Sequence, residues 1–367
     1  MIVRGQKSEI NRCLDIVEKA LPVRSTIPVT NNILLESTGD SLIFTTTNLE
    51  LEIKVKIYYE GGEQGKILLP PKVVDIVRHL PSPEVDIKLN WETFRIDLES
   101  GAARFNLYGS DPTDYPKVDE INPRAGALLI EPSHLKELLK EVVFAASTDE
   151  SRPAFNGVLF QFKEKGVELT ASDTYRLVVK EVSSEDWSLE EQRYLIPAKS
   201  LRELLKILDE NNEQISIFPH QDQVVFHLGK VYFATRVLNE KYPNVSGVIP
   251  EHYQTRLIVE RKTLEETVSR AALLAEGINQ VVQFAVSDSH IDVKVSSQLG
   301  RMEEAIPVRK EGESIDIYVN SRFILDILKV VEAKEIIIDF HGTNGPIIFR
   351  LVDDLCYLYL VLPIKMG

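Results

Sequence analysis

Residues Arg193–Leu208 read RYLIPAKSLRELLKIL. An apolar run ends at a proline, and leucines then fall at helical spacing. At 100° per residue Leu201, Leu204, Leu205 and Leu208 share one face, with Lys199, Arg202 and Lys206 on the other. The spacing predicts a strand feeding an amphipathic helix. The same order occurs as KILLPPKVVDIVRHL at Lys66–Leu80 and as DIYVNSRFILDILKVV at Asp316–Val331. Lys72, Lys199 and Arg322 hold matching positions.

Two further blocks keep step with this one. A helix pattern opens each third: SEINRCLDIVEKAL from Ser8, SHLKELLKEVVFAA from Ser133 and TLEETVSRAALLA from Thr263. Its apolar positions are Ile10, Leu14 and Val17; Leu135, Leu139 and Val142; Leu264, Val268 and Ala271. A closing strand pair follows in each third, from Phe94, from Val224 and from Ile347, and the first two copies finish Tyr115-Pro116 and Tyr242-Pro243. Thr263 with Glu266, and Ser200 with Glu203, have the spacing of capping boxes. The blocks recur at about 123 to 129 residues, a domain's length and too long for a solenoid unit. Alternating runs such as Ser41–Tyr59, Val167–Val182 and His290–Gln298 predict half-buried strands. The expected fold class is therefore α+β: three similar domains, each with two helices on antiparallel sheets. Their expected bounds are 1–121, 127–250 and 253–367, with linkers near Asp119–Gly126 and Pro250–Thr255. The terminal run YLYLVLPIKMG reads as the last strand of the third repeat, paired and so protected from fraying.

The totals narrow the class. The 367 residues are 44% apolar and 27% charged, enough for sizeable cores. No run is long and apolar enough for a membrane span, and the N-terminus has no signal-peptide core, so a cytoplasmic location is expected. Cys13 and Cys356 make neither a disulfide framework nor a metal knuckle, and both are expected as buried thiols. Seven scattered histidines show no HExxH, so no metal or cofactor is expected. GGEQGK at Gly61–Lys66 lacks the Ser or Thr of a phosphate loop and leads into a strand. Asp111, Asp114 and Asp119 read as a solvated acidic loop.

Net charge is −14, which taken alone argues against nucleic acid. The basic residues nevertheless recur in register: Arg12 with Lys19, Lys136 with Lys140, Lys199 with Arg202 and Lys206, Arg322 with Lys329, and Lys72 with His79; Arg24 follows the first helix. If the repeats close around an axis, six helices per chain become twelve in a head-to-tail dimer. At about 8–10 Å per neighbour they line roughly 100–120 Å of circumference, a hole that admits a duplex. Phosphate contacts made there would carry no sequence information and would be salt-sensitive.

These residues resemble the bacterial DNA polymerase III beta subunit family, the sliding clamps, essentially from end to end. RSTIPVTNNILLES at 24–37 is similar to that family's first-domain segment. SRPAFNGVLF at 151–160 with ASDTYRL at 171–177 is similar to its middle-domain signature, and VLPIK at 361–365 to its tail. The resemblance implies a DNA clamp fold, closing as a head-to-tail homodimer ring on duplex DNA. It implies a replication processivity factor that tethers the replicative DNA polymerase, is opened by an ATP-dependent clamp loader, and is nucleoid-associated during replication. Other polymerases and repair proteins would bind through short linear peptides. The implied peptide pocket takes Phe155, Ser172, Thr174, Tyr175, Arg176 and Leu177; then Pro243, Val248, Asn320 and Phe323; and from the tail Leu360, Val361, Leu362, Pro363, Ile364 and Lys365. Where this chain has Ser172, Thr174 and Tyr175, the family more often has Thr, Gly or Ser, and His. The implied dimer seam sets Phe105 and Leu107 against Leu273 and Leu274.

A second reading makes the chain a hydrolase or transferase on a triplicated fold, with a site near Asp173 and Arg176. No nucleophile–base constellation surrounds that pair in the sequence, and a turn contact or salt bridge accounts for it. The basic pairs recur in all three repeats while ASDTYRL has no clear copy, so the non-catalytic reading is preferred.

Overall fold

The structure, a computed structural model, describes residues 2–59, 62–117, 127–184, 187, 190–208, 213–277 and 280–365. The first expected linker, Asp119, and Gly61 of the GGEQGK run lie outside them. Each third supplies two helices: α1 Lys7–Val17 and α2 Lys72–Arg78, α3 Pro132–Val143 and α4 Ala198–Ile207, α5 Arg261–Ala272 and α6 Ser321–Val330. Every strand pairing is antiparallel, as the alternating patterns require. The apolar positions named above in the opening helices are all buried, as are Leu201, Leu204 and Leu208 of α4.

The chain forms two compact units. One holds Met1–His134 with Glu203–Val237, the other Leu135–Arg202 with Leu238–Gly367, so the middle third contributes to both. In the first unit an eight-stranded sheet runs without a break from the first third into the middle third, where Leu51–Tyr58 pairs with Val231–Arg236. A four-stranded sheet completes this unit and ends on the edge strand Ala103–Tyr108. In the second unit Arg176–Ser183 pairs with Tyr357–Val361 at the centre of a nine-stranded sheet. Its four-stranded companion ends on Gly300–Pro307.

The tail strand Tyr357–Val361 thus lies between two partners, and all five residues are buried. Alternation sends Tyr357, Tyr359 and Val361 to the helix side. There the Tyr357 hydroxyl donates to the Glu141 carbonyl at 3.1 Å, and that of Tyr359 to the Phe323 carbonyl at 2.9 Å. Leu358 and Leu360 face the other way.

The structure departs from the sequence expectations in two places. Neither Ser200 nor Thr263 sits at an N-cap. α4 begins at Ala198 and α5 at Arg261, which puts Ser200 and Thr263 inside the first turn; the Thr263 hydroxyl instead donates to the Glu260 carboxylate. The strands run straight into these helices, and a neighbouring carbonyl takes up the first amide of each. Ala198 N–H donates to Asn156 O at 2.9 Å and Arg261 N–H to Lys334 O at 3.0 Å. A side-chain cap does occur on α6, where Asn320 Oδ1 accepts from Arg322 N–H at 2.9 Å.

The cysteines also differ from each other. Cys13 is buried beneath α1, and burial, with Glu9 nearby, pushes its thiol pKa up to about 12; Cys356 is exposed. A disulfide-exchange reagent at pH 7.5 is therefore expected to titrate one thiol in the folded protein and two after denaturation, with the slow thiol at least 100-fold retarded. Equal rates for both would show that Cys13 is accessible.

Candidate partner-binding groove and basic faces

The site is built on the turn that joins Gly166–Ser172 to Arg176–Ser183. Asp173 Oδ1 accepts the N–H groups of Tyr175 and Arg176, each at 3.0 Å, and Ser172 Oγ accepts Thr174 N–H at 3.1 Å. The turn holds Thr174 at φ 80°, a conformation costly for a β-branched residue, on the order of 1–3 kcal/mol. This geometry lifts Tyr175 into solvent at 60% exposure. It also presents the Tyr175 carbonyl to the tail, where Leu362 N–H donates to it at 2.9 Å. Two residues on, Ile364 N–H donates to Tyr318 O at 2.8 Å. The tail is thus strapped by its backbone on both sides, leaving the Leu362 side chain exposed and that of Ile364 half-buried.

Arg176 anchors the turn from below. Its Nε meets Asp173 Oδ2 at 2.9 Å, one Nη meets Asp326 Oδ2 of α6 at 2.5 Å, and the other meets Phe144 O at 3.0 Å. Its guanidinium carbon lies 4.6 Å from the Phe323 ring centroid and 5.4 Å from that of Phe144. The Asp173–Arg176 pair is therefore a structural contact. On the sheet face away from the helices, Leu177, Leu358, Leu360 and Ile348 form one buried apolar cluster, with the half-buried Val179, Val245 and Ile249 packed against it.

Of the residues that resemblance put in the pocket, Leu177 and Leu360 lie in this buried cluster, and Tyr175, Leu362 and Ile364 lie where the tail is strapped to the turn. Phe323 and Arg176 lie beneath. Ser172 is buried in the turn and Asn320 is spent as a helix cap. Phe155 packs edge-on against Tyr242 at 5.9 Å, next to exposed Pro243. Val248 and Lys365 are exposed and Pro363 is half-buried. Val361 is buried on the helix side, away from that cluster. Ile348, Leu358, Val179, Val245 and Ile249, which the sequence reading did not name, pack in the same cluster. Alternation in the closing strands marks Ile348 and Leu358 as one-face residues, but nothing local says which segments that face meets.

The basic residues separate into groups. In the first unit Arg12, Lys19, Arg78 and Lys206 line a hollow of about 600 Å³. Arg78 pairs there with Asp15 at 2.6 Å and Glu18 at 3.3 Å, and Lys206 with Glu203 at 2.8 Å. Lys72 is exposed but paired with Asp75 at 2.7 Å. Arg24, Lys140, Lys199 and Lys329 are exposed and Lys136 half-exposed. Arg202 and Arg322 line a different hollow, in the second unit beside Tyr175. Phe105 and Leu107 lie on the edge strand Ala103–Tyr108. Leu273 is 79% exposed after α5, and Leu274 is half-buried. Among the described residues no three His, Cys, Asp or Glu side chains are grouped to hold a metal, and no helix is long and apolar enough to cross a membrane.

Triplicated helix pairs on antiparallel sheets, with the terminal strand inserted at the centre of one of them, define a three-domain DNA clamp. Models of the DNA polymerase III beta subunit match in three parts: the N-terminal domain at residues 1–119, the central domain at 129–244 and the C-terminal domain at 246–365. The beta sliding clamp of Staphylococcus aureus is 33% identical over 359 residues, covering 95% of this chain and 94% of its own. That of Staphylococcus epidermidis is 33% identical over 368 residues, with 97% of each covered. The crystal structure of the Bacillus subtilis DNA polymerase sliding clamp superposes over 100% of both chains, with a TM-score of 0.94 and 32% identity. The Thermotoga maritima DNA polymerase III beta subunit does so with a TM-score of 0.91 and 27% identity. The chain belongs to the DNA polymerase III beta subunit family, the beta sliding clamps. Members of this family are accessory processivity subunits rather than catalytic enzymes, and DNA and a polymerase are their partners.

Proposed function

We propose that two copies of this chain close head to tail into a ring that encircles duplex DNA and holds the replicative polymerase to it. The observation that carries this reading is a pair of open edges. The strand Ala103–Tyr108 in the first third and Gly300–Pro307 in the last third have no outer partner among the described residues. Edge strands need cover, and each could cover the other's copy, with Phe105 and Leu107 meeting Leu273 and Leu274. Arg12, Lys19, Arg24, Lys72, Lys136, Lys140, Lys199, Arg202, Lys206, Arg322 and Lys329 would face the duplex. Weak phosphate contacts suit a protein held by topology, because they neither read sequence nor stop sliding. An ATP-driven loader would open the ring in the cytoplasm, and the polymerase and repair proteins would compete for the groove. We read the domain limits as 1–121, 127–250 and 253–367.

The test is topological. Loaded protein should stay on a nicked circle through a wash at high salt, then leave within minutes once the circle is cut to a line with open ends. Blocking those ends should restore retention. Loss from the circle and the line at the same rate would rule out encirclement.

A further inference from the structure

Two joins inside the chain share one geometry and differ in chemistry. In the first unit Val55 of Leu51–Tyr58 lies opposite Val231, the first residue of the strand that closes the join. In the second unit Lys180 of Arg176–Ser183 lies opposite Tyr357, again the first residue of the closing strand. Val55 pairs back to Phe44 and Lys180 to Leu169 at the same spacing. On the open strand Gly300–Pro307 that spacing, from Val293, picks out Glu304. The opening helices align through Val17, Val142 and Ala271, so Ile16, Glu141 and Arg270 are equivalent too. The three repeats therefore hold an apolar pair, Ile16 and Val55; an ionic pair, Glu141 and Lys180; and its inverse, Arg270 and Glu304. Lys180 Nζ lies 2.8 Å from Glu141 Oε2, with both residues buried, and Arg270 Nε lies 2.9 Å from Glu304 Oε2. The closing hairpins follow suit. The tip beside Val55 carries Lys230, whose carbonyl accepts Lys56 N–H at 3.0 Å. The tip beside Lys180 carries Asp354, whose carboxylate takes the same ammonium, and the Tyr357 ring lies 5.4 Å from it.

We propose that Glu141, Lys180 and Asp354 act as a pairing key, which commits the terminal hairpin to the middle repeat and so fixes the order in which three similar domains join. The backbone edges of the opening strands are alike, and alternation alone does not choose among them. The side chains do. Val231–Arg236 set against Arg176–Ser183 would bring Lys230 to the buried Lys180 and take away its second carboxylate. Tyr357–Val361 set against Leu51–Tyr58 would move Asp354 and the Tyr357 hydroxyl from their partners to Ile16 and Val55. The same hairpin on the open edge of another copy would bring Asp354 to Glu304. Each error places like charges together or leaves a polar group unpaired, a penalty larger than the net gain from the correct cluster. Exchange between like modules is a characteristic failure of repeat proteins, and a terminal hairpin captured by another copy would propagate into chains of molecules.

The full-length protein is diluted out of urea beside its variants, and the products are resolved by size-exclusion chromatography with light scattering; melting temperatures are recorded separately. Glu141→Ile, Lys180→Val and Asp354→Ser together give the second join the chemistry of the first. This variant is expected to melt within about 5 °C of the unmodified protein, yet to yield at least about threefold less native oligomer, the remainder as larger species. Glu141→Arg with Lys180→Glu copies the third repeat's pair and sets a carboxylate against Asp354, so its yield is expected to fall as far. Adding Asp354→Lys, 174 positions along the chain from Lys180, is expected to restore the yield to within about twofold of the unmodified protein. Clean refolding of the apolar variant overturns the proposal. Failure of the third substitution to restore the yield overturns it as well. A yield that simply follows melting temperature across all variants assigns the cluster to stability rather than partner choice, with the same consequence.

Discussion

Replacing Arg176 with alanine is expected to destabilise the second unit by about 3–5 kcal/mol. The side chain is 9% exposed and joins three segments: its own turn, α6 through Asp326, and the end of α3 through the Phe144 carbonyl. Alanine would remove one positive charge and leave two carboxylates and a carbonyl facing a void. Such a loss costs more than the intact pair contributes, because an unpartnered buried charge keeps its full desolvation penalty. The stacking on Phe323 and Phe144 would go as well. The checking measurement is thermal unfolding with hydrogen exchange over Arg176–Ser183 and α6. The unit's midpoint should fall by on the order of 10 °C, and exchange should rise in both segments. Arg176→Lys should fall between, since a lysine keeps the charge but cannot reach three acceptors in one plane. A midpoint within 2 °C of the unmodified protein would show that the network is not what holds the turn.

The second large effect concerns the tail. Leu362→Ala with Ile364→Ala, in a chain lacking Lys365–Gly367, is expected to weaken capture of an apolar-anchored peptide by at least about 100-fold. A few desolvated side chains carry most of such an affinity, and each buried aliphatic group contributes about 1.5–3 kcal/mol. The substitutions leave the backbone strap intact, because the amides of residues 362 and 364 still reach the carbonyls of Tyr175 and Tyr318. They also leave Tyr359, Leu360 and Val361 in the sheet. Sedimentation should therefore report the same oligomer before and after. If the oligomer falls apart while the remaining protomer still binds peptide, the tail is a structural element only.

The Asp173–Arg176 contact shows how far local reading reaches. Three residues separate the two, and the turn pattern is enough to anticipate their bond. The third partner, Asp326, lies 150 residues away, and its one notable sequence feature is that it interrupts a basic stripe. Likewise Arg202 and Arg322 belong by helical periodicity to stripes with Lys206 and Lys329, yet they line the second unit's hollow. Periodicity assigns a helix face; what a long flexible side chain finds there depends on segments far along the chain. The two capping-box patterns misplace the helix starts for a related reason: strands paired far along the chain run directly into α4 and α5, so each helix begins two residues before Ser200 or Thr263.

Local order was determined by the sequence alone: six amphipathic helices, their alternating strands, and the threefold recurrence that points to the clamp family. These features rest on periods of 3.6 and 2 and need only neighbouring residues. Tertiary structure alone decided that Tyr357–Val361 inserts between Arg176–Ser183 and Ile347–Leu351, and thereby buries Leu358 and Leu360 in one apolar cluster with Leu177 and Ile348. Strand partners are chosen by packing between segments nearly two hundred residues apart. No local pattern encodes that choice, because the same alternating strand can be satisfied by many neighbours.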